Sequence, residues 1–363
     1  MPDHDTICGY GLADVRKSLC AATDRRERRA AQRWTAELIA TPGAVGSLWA
    51  AYWIAWAMAQ GAGSASPTIP ILLKQTWGTI SATAAQHVNY GEGWPAFRND
   101  PSVRATATEM TSRLLSQARQ TPVVWPSKEI TAHDIAITRD TSPPPQADGP
   151  VVMRVWIRDE DHMELRMAAG RFIDAIERGE LRQALSVVAW TLLPPAHQNL
   201  QVPLKVSERG PVTLTTKQRC SAVWFWLELG RSLLLSRPNI HRGWATMHSA
   251  IAEAFKLHYK RWTAAERMRV LLAWILQLRA SYTAQPDSLW SAPPMTHTSH
   301  EIDLPYKEIA GELANPDAPI IRKDKAPEPE KESKRAAAER MEARLQEADA
   351  AILAAMGLTE DDL

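Results

Sequence analysis

Cationic side chains alternate with aromatic rings between residues 256 and 267, and this combination suits the binding of single-stranded nucleic acid. Lysine and arginine neutralise phosphates, whereas aromatic rings stack on unpaired bases. We therefore predict that any nucleic-acid binding by the chain is carried by one local ridge, which consists of Lys256, Lys260, Arg261, Trp262 and Arg267. A solvated helix face is the plainer alternative for the same residues.

A second group of cations lies near the amino terminus, at helical spacings of i+3 and i+4 that bring its members onto one face. Its members are Arg25, Arg28, Arg29 and Arg33. A positive ridge of this kind can bind a phosphate backbone. However, Asp24 and Glu27 lie within the group and partly neutralise it, which favours a solvated face.

Large aromatic rings recur at i, i+4 and i+7 in the next uncharged stretch, so they share one helix face. They are Trp49, Trp53 and Trp56, with Tyr52 beside them. Such a stripe can dock a partner helix or can face the core of a helical bundle. No basic residue lies between Thr41 and Leu73 to follow phosphates, so stacking on nucleic acid is disfavoured. We predict that the stripe faces the core of the bundle, and docking of a partner helix is the functional alternative.

The same uncharged run, residues 45–59, raises the question of a membrane anchor, because arginines precede it as they precede many membrane helices. A membrane-spanning helix needs about 20 strongly apolar residues. This run is shorter and rich in alanine, and its tryptophans lie in the middle instead of at the ends. A membrane partner is therefore not expected, and anchoring through 45–59 is only a second alternative.

The remaining residues with chemical potential do not assemble into a recognisable site. His241, His248 and His258 lack the spacing of a helical zinc motif. The segments 297–303 and 159–161 hold metal-ligand residue types, but they are explained as a loop and as the acidic start of a helix. No glycine-rich phosphate loop or nucleophile motif occurs. The sequence therefore predicts no catalytic residues, metal or cofactor.

Apolar periodicity indicates which elements hold these residues. It predicts helices at about 12–22, 24–40, 44–60, 66–87, 102–120, 159–193, 217–235, 241–259 and 263–281. Residues 89–101 are expected to form a loop, and the chain beyond residue 285 is expected to be irregular until its charged tail. Several of these helices repeat one pattern, in which an arginine is followed by an apolar stretch and a tryptophan. This pattern indicates helices that pack through the large ring, and Trp34 and Trp53 are expected to be buried packing residues.

Composition limits the class of protein. The 363 residues include 42 basic and 41 acidic side chains, so no overall charge attracts nucleic acid or membranes. Tryptophan is unusually frequent, with 15 residues against 4 phenylalanines. The 3 cysteines show no paired spacing, which indicates an intracellular, reducing compartment. A virion is the alternative location.

The predicted fold is mainly α, with two helical domains. The first domain is 1–120, a proline-rich linker follows at 121–150, and a second, mostly helical domain spans 151–284. Minor β structure is expected in the second domain, as a strand at 151–157 and a hairpin that pairs 201–202 with 212–215. Residues 285–363 are expected to form a proline-rich segment and a charged helical tail, with 322–334 disordered in isolation.

Part of the helical sequence resembles the carboxy-terminal collar of clamp-loader-type AAA+ ATPases. The resemblance is carried by Val15–Leu19, by Arg29–Leu38 with its Trp34, and by Phe172–Leu185. No ATPase module accompanies them, so no nucleotide-binding residue is implied. The collar assembles subunits, and the resemblance implies oligomerisation or protein docking. The tryptophan- and proline-rich composition with a charged tail also resembles lineage-specific proteins of large DNA viruses.

The sequence as a whole favours a non-catalytic scaffold or adaptor in a larger intracellular or viral assembly. Protein partners or self-association are expected, because the helices offer docking faces and no catalytic group of residues emerges from the spacing. The alternative is a nucleic-acid-binding accessory protein of DNA replication or packaging, which would use the ridge at 256–267.

Overall fold

In the computed structural model, the described helices lie within the unit Met1–Asn315. The residues described are 5–60, 67–89, 93–117, 158, 160–192, 204–237, 240–282, 290 and 295–314. The predicted linker at 121–150, the strand at 151–157 and the charged tail after residue 314 lie outside them. Predictions about those segments stay predictions.

The described residues are mainly helical, as the periodicity predicted. The helices are α1 (Leu12–Arg25), α2 (Arg28–Ala40), α3 (Val45–Met58), α4 (Thr68–Asn89), α5 (Gly93–Asn99), α6 (Pro101–Ser116), α7 (Met163–Arg178), α8 (Leu181–Leu192), α9 (Thr216–Arg219), α10 (Ala222–Leu235), α11 (Arg242–His258), α12 (Ala264–Ala280) and α13 (Ser299–Ala314). Gly179 separates α7 from α8 in the left-handed conformation, at φ 84°. Two helices were not expected: α5 in the supposed loop and α13 in the supposed irregular segment.

Helix α3 occupies the centre of the unit, because almost all of its surface is apolar. It contacts α1, α2, α4, α6, α11 and α12. Trp49 and Trp56 are fully buried and Trp53 is 2% exposed, so the tryptophan stripe faces the core. The structure thereby corrects the alternative in which Trp49, Trp53 and Trp56 dock an external partner, since other helices already cover their rings.

The burial of α3 also corrects the membrane-anchor alternative for residues 45–59. The side chains that would contact lipid are packed against neighbouring helices, with residues from Val45 to Ala57 buried. Within the described part of the chain, no helix combines the length and the apolar character that a bilayer crossing requires.

Helices from before and after the predicted linker share one core. The indole nitrogen of Trp262 donates a hydrogen bond to the carbonyl of Ala50 across 3.1 Å, and both groups are buried. The amide of Gln277 donates to Gln60 at 2.6 Å. The described helices of 1–120 and 151–284 therefore form a single packed body.

The described residues contain no β-strand, and their one isolated bridge pairs Asp5 with Gly11. Residues 212–215, half of the predicted hairpin, lead into α9 instead. Thr215 begins that helix with a capping box, in which its hydroxyl accepts from the backbone of Gln218 and the Gln218 side chain accepts from Thr215. This local bonding favours a helix start over a strand.

Candidate interaction surface

The aromatic rings of the ridge at 256–267 are not available to stack on bases. Trp262 is 2% exposed and packs edge-on against Phe255, with ring centres 5.2 Å apart. Tyr259 is also buried and stacks on Trp224 at 5.4 Å. This arrangement corrects the expectation that Trp262 contributes to nucleic-acid binding, because an unpaired base needs an open ring face.

The cations of the same ridge bind groups of the chain itself. Arg267 donates to the carbonyls of Tyr259 and Trp262, at 2.9 and 2.6 Å, and its guanidinium lies 4.4 Å from the centre of the Tyr259 ring. Lys260 donates to the carbonyl of Thr213 at 3.0 Å. Arg261 donates to the Leu257 carbonyl and Lys256 pairs with Glu253. Arg267 thus fastens the turn between α11 and α12, and phosphate binding by Lys256, Lys260, Arg261 and Arg267 stays a prediction.

Three members of the other basic group, Arg28, Arg29 and Arg33, lie on α2, whereas Arg25 is the last residue of α1. Arg33 is held in place by a buried carboxylate. Arg33 donates to Glu37, which is fully buried, at 2.8 Å. The same carboxylate accepts from the backbone of Cys8 at 3.0 Å. Although burial lowers the pKa of Arg33, its hydrogen bonds to Glu37 and Glu312 raise that pKa above the ordinary value. Arg33 is therefore a fixed, permanently charged point on the basic face of α2.

An acidic helix, α13, covers this basic face. Its carboxylates form one ion pair with α6 and three with α2: Asp303 with Arg104 at 3.0 Å, Glu301 with Arg28 at 3.1 Å, Glu308 with Arg29 at 2.7 Å and Glu312 with Arg33 at 2.7 Å. The three glutamates are spaced at i, i+7 and i+11, which places them on one side of the helix. The surface formed by the outer faces of α2 and α6 is called the α2–α6 surface below.

A small apolar patch anchors α13 between its ion pairs. Its buried residues are Pro305, Tyr306 and Ile309. The guanidinium of Arg104 lies 4.3 Å from the centre of the Tyr306 ring, which is a cation–π contact. The Tyr306 hydroxyl is buried with no hydrogen-bond partner among the described residues, and burial raises its pKa.

An open groove of about 570 Å³ lies between α2 and α13. It is lined by Glu27, Arg28, Arg29, Ala30, Arg33, Trp34 and Glu308. Trp34 forms one wall, with the centre of the Tyr10 ring 5.5 Å away and edge-on. The expectation that Trp34 is a buried packing residue is confirmed only in part, since its ring packs against the core and Tyr10 but is half-buried and faces this groove.

The residues considered for metal binding have structural roles. His241 caps α11 by accepting from the backbone of Gly243, and His248 and His258 are buried in the core. The segment 297–303 is the start of α13, where Thr298 and Glu301 cap the helix reciprocally. In the described ranges, no cluster of histidine, cysteine or acidic side chains is arranged to hold a metal.

The acidic segment at 159–161 contributes to a buried ion pair. Asp161 binds Arg209, with both side chains inaccessible to solvent, and accepts from the backbone and hydroxyl of Ser207 at 2.8 Å. Burial raises the pKa of Asp161, but these hydrogen bonds outweigh it and lower the pKa to about 2. The pair fastens the segment after residue 204 to the start of α7.

Sequence reasoning missed α13 and therefore missed the best candidate surface. The signal was present, since acidic residues at 301, 308 and 312 flank an aromatic and an aliphatic residue at 306 and 309. Pro305 concealed it, because an internal proline usually ends a predicted helix.

Comparisons with known proteins assign no function to this surface. No protein-family model, curated protein or solved structure matches the chain. The geometry of α2, α6 and α13 is therefore the basis for assigning a function.

Proposed function

We propose that the protein is a non-catalytic scaffold or adaptor that binds protein partners through the α2–α6 surface. One observation carries this proposal: α13 lies on that surface through a line of ion pairs around a small apolar anchor. An amphipathic helix held in this manner is a common mode of protein recognition. The chain thus contains a helix-binding surface with a helix bound to it.

The chemistry of the surface suits a protein helix. Ile309 and Tyr306 fill an apolar contact between cations, whereas a phosphate backbone offers no apolar group for such a contact. The buried Glu37 binds one amino group of Arg33 and fixes its orientation. The other amino group, which binds Glu312, therefore offers a carboxylate a fixed binding position. The resemblance of Arg29–Leu38 to a subunit-assembling collar helix supports the same proposal, because that segment forms most of α2.

Site-specific photo-crosslinking tests the proposal. A benzoylphenylalanine at Arg29, whose side chain is 84% exposed, should form discrete adducts in extract of the cells where the protein occurs naturally. The same label at Lys17, 80% exposed on α1, is the matched control. We expect adducts at position 29 that protease removes and nuclease does not. Equal labelling at both positions would contradict a dedicated protein surface here.

The alternative function is a nucleic-acid-binding accessory protein. The outward cations Arg28 and Arg29 favour it, since α2 presents them together at a groove. Fluorescence anisotropy with a single-stranded oligonucleotide at two salt concentrations tests it, because phosphate binding weakens steeply with salt. Loss of binding in Arg28→Glu/Arg29→Glu, but not in Lys260→Glu/Arg261→Glu, would establish nucleic acid as a ligand of the α2–α6 surface.

A further inference from the structure

We infer that α13 is a displaceable internal ligand, and that the acidic amphipathic helix of a partner protein replaces it on the α2–α6 surface. This inference rests on the proposed function, for which it names the class of partner and the means of regulation. The bound α13 keeps the surface closed until a better helix competes for it.

The contacts of α13 define what the partner helix must carry. An acidic residue at position i corresponds to Glu301, and further acidic residues at i+7 and i+11 correspond to Glu308 and Glu312. An aromatic residue at i+5 and an aliphatic residue at i+8 would replace Tyr306 and Ile309. Both kinds of group are needed, since α13 is held by ion pairs to the cations of α2 and by its own buried apolar residues.

The attachment of α13 is weaker than that of the core helices. It buries Pro305, Tyr306 and Ile309, whereas nearly every residue of α3 is buried. Each of its four ion pairs includes at least one side chain that is more than 40% exposed, and in the pair of Arg28 with Glu301 both are, at 57% and 41%. Exposed ion pairs contribute little, because water and salt screen both charges.

Two residues of α13 oppose its own docking. Pro305 lies inside the helix, where it removes a backbone hydrogen bond and crowds the preceding turn. The buried Tyr306 hydroxyl, which has no partner in the described part of the chain, loses its hydration without compensation. A partner helix with alanine and phenylalanine at these positions would keep the ion pairs and the aromatic contact without either cost, and would therefore compete effectively.

A peptide-binding experiment on the full chain tests displacement. The probe is a fluorescein-labelled peptide of residues 296–314 with Pro305→Ala and Tyr306→Phe. The release variant is Glu301→Lys/Glu308→Lys/Glu312→Lys, in which α13 is repelled by the arginines of α2. We expect the probe to bind the release variant at least tenfold more tightly than it binds the unaltered chain, as measured by anisotropy.

Matched controls identify the surface. Glu253→Lys, a charge reversal on α11, should leave the affinity unchanged, because α11 makes no described ion pair with α13. Adding Arg28→Glu/Arg29→Glu to the release variant should weaken binding at least tenfold. In the otherwise unaltered chain, Arg28→Glu/Arg29→Glu repels α13, and a probe with lysine at positions 301 and 308 and glutamate at 312 should bind that variant, since its charges complement both altered positions and Arg33.

Native-state hydrogen exchange provides a second measurement, which does not depend on the stability of any variant. Amides of α13 should exchange faster than those of α3, and 1 M salt should accelerate α13 selectively, because its ion pairs are screened. Equal protection in α13 and α3 at both salt concentrations would overturn the inference.

The outcomes separate this inference from the proposed function. Equal binding of the probe to the release variant and the unaltered chain, or no binding to either, would overturn displacement. If protein adducts at Arg29 persist in that case, the scaffold proposal stands without it. If Glu301→Gln/Glu308→Gln/Glu312→Gln, which removes the same ion pairs without adding a cation, binds an oligonucleotide and not the probe, α13 covers a phosphate site, and both proposals fail.

Discussion

Two buried histidines make the stability of the protein sensitive to acid. The ring of His258 lies between Trp77 and Trp262, with ring centres 5.7 and 5.6 Å away. Burial, together with Arg261 and Arg16, lowers its pKa to about 3. Burial and Arg231 lower the pKa of His248 to about 4. Both rings are therefore neutral in the folded protein at pH values where an unfolded histidine is charged.

The direction of the pH dependence follows from these lowered values. Below pH 6.5 the unfolded chain takes up protons that the folded chain does not, so the free energy of unfolding falls as pH decreases from about 6.5 to about 4. Each histidine should remove about 2 kcal/mol between pH 7 and pH 5. Urea melts at the two pH values measure this loss, and His248→Phe/His258→Phe should reduce it. Equal stability of the unaltered chain at both values would contradict the assignment.

Replacing Trp53 by alanine should lower the free energy of unfolding more than replacing Trp34, although the two tryptophans lie in the adjacent helices α3 and α2. Trp53→Ala empties a core position beside Trp56, whose ring centre is 5.8 Å away, and should cost about 3–5 kcal/mol. Trp34→Ala should cost clearly less, because one side of that ring already faces the groove. Urea melts of the two variants provide the comparison. Equal losses would show that Trp34 is packed as completely as Trp53.

At the scale of helices, the approach of α10 to α12 depends on a residue without a side chain. A Cβ built on Gly230 would lie 1.9 Å from the ring of Trp274, which is fully buried. The two helices can therefore approach closely only because this position is glycine. Gly78 in α4 is the contrasting case, since a Cβ there would have no neighbour within 4 Å.

Alanine substitutions at these glycines should change stability in opposite directions. Gly230→Ala should destabilise the protein by about 1–3 kcal/mol, because overpacking displaces Trp274 and outweighs the helical preference of alanine. Gly78→Ala should stabilise it by about 0.5–1 kcal/mol, since only the helical preference acts. Thermal melts followed by circular dichroism measure both changes. A stabilised Gly230→Ala variant would show that α12 adjusts without strain.

At the scale of the whole molecule, the described helices should unfold as one body. Distant segments are joined through buried groups, as in the bond from Trp262 to Ala50 and the contact of Gln277 with Gln60. Arg16 adds an ion pair with Glu266 at 3.1 Å. Helices that share buried contacts of this kind lose them together, so their unfolding is cooperative.

A single transition is the measurable consequence. Tryptophan fluorescence and the far-ultraviolet circular dichroism of the helices should give the same urea midpoint. Trp262→Phe should lower both midpoints equally, because it removes a hydrogen bond between α3 and the start of α12. Two separated transitions would instead support independent domains at 1–120 and 151–284.

Most of the helices could be predicted from the sequence, because their causes are local. Apolar spacing and caps lie within each segment, as in α12, where Thr263 and Glu266 form a capping box. The burial of Trp53 also followed from a run with no charged residue around it. Locally consistent signals of this kind do not depend on where the rest of the chain lies.

Tertiary structure decided which surfaces are open and which helices form despite a proline. Helix α5 contains Pro95 and is held by Trp94, whose indole donates to the Ala40 carbonyl at 3.1 Å, far away in sequence. The basic residues next to Trp262 in the sequence predicted that its ring binds nucleic acid. In the folded chain the ring is buried against Ala50 and Phe255.

The basic face of α2 shows most clearly which properties follow from the sequence and which follow from the packing of the folded chain. The spacing of its arginines is enough to predict that they share one side of a helix. The position of the acidic α13 over them depends on packing, since Glu308 reaches Arg29 from a distant part of the chain. The exposure of a side chain depends on contacts with residues that are distant in sequence. The fold therefore determines which residues can bind a partner.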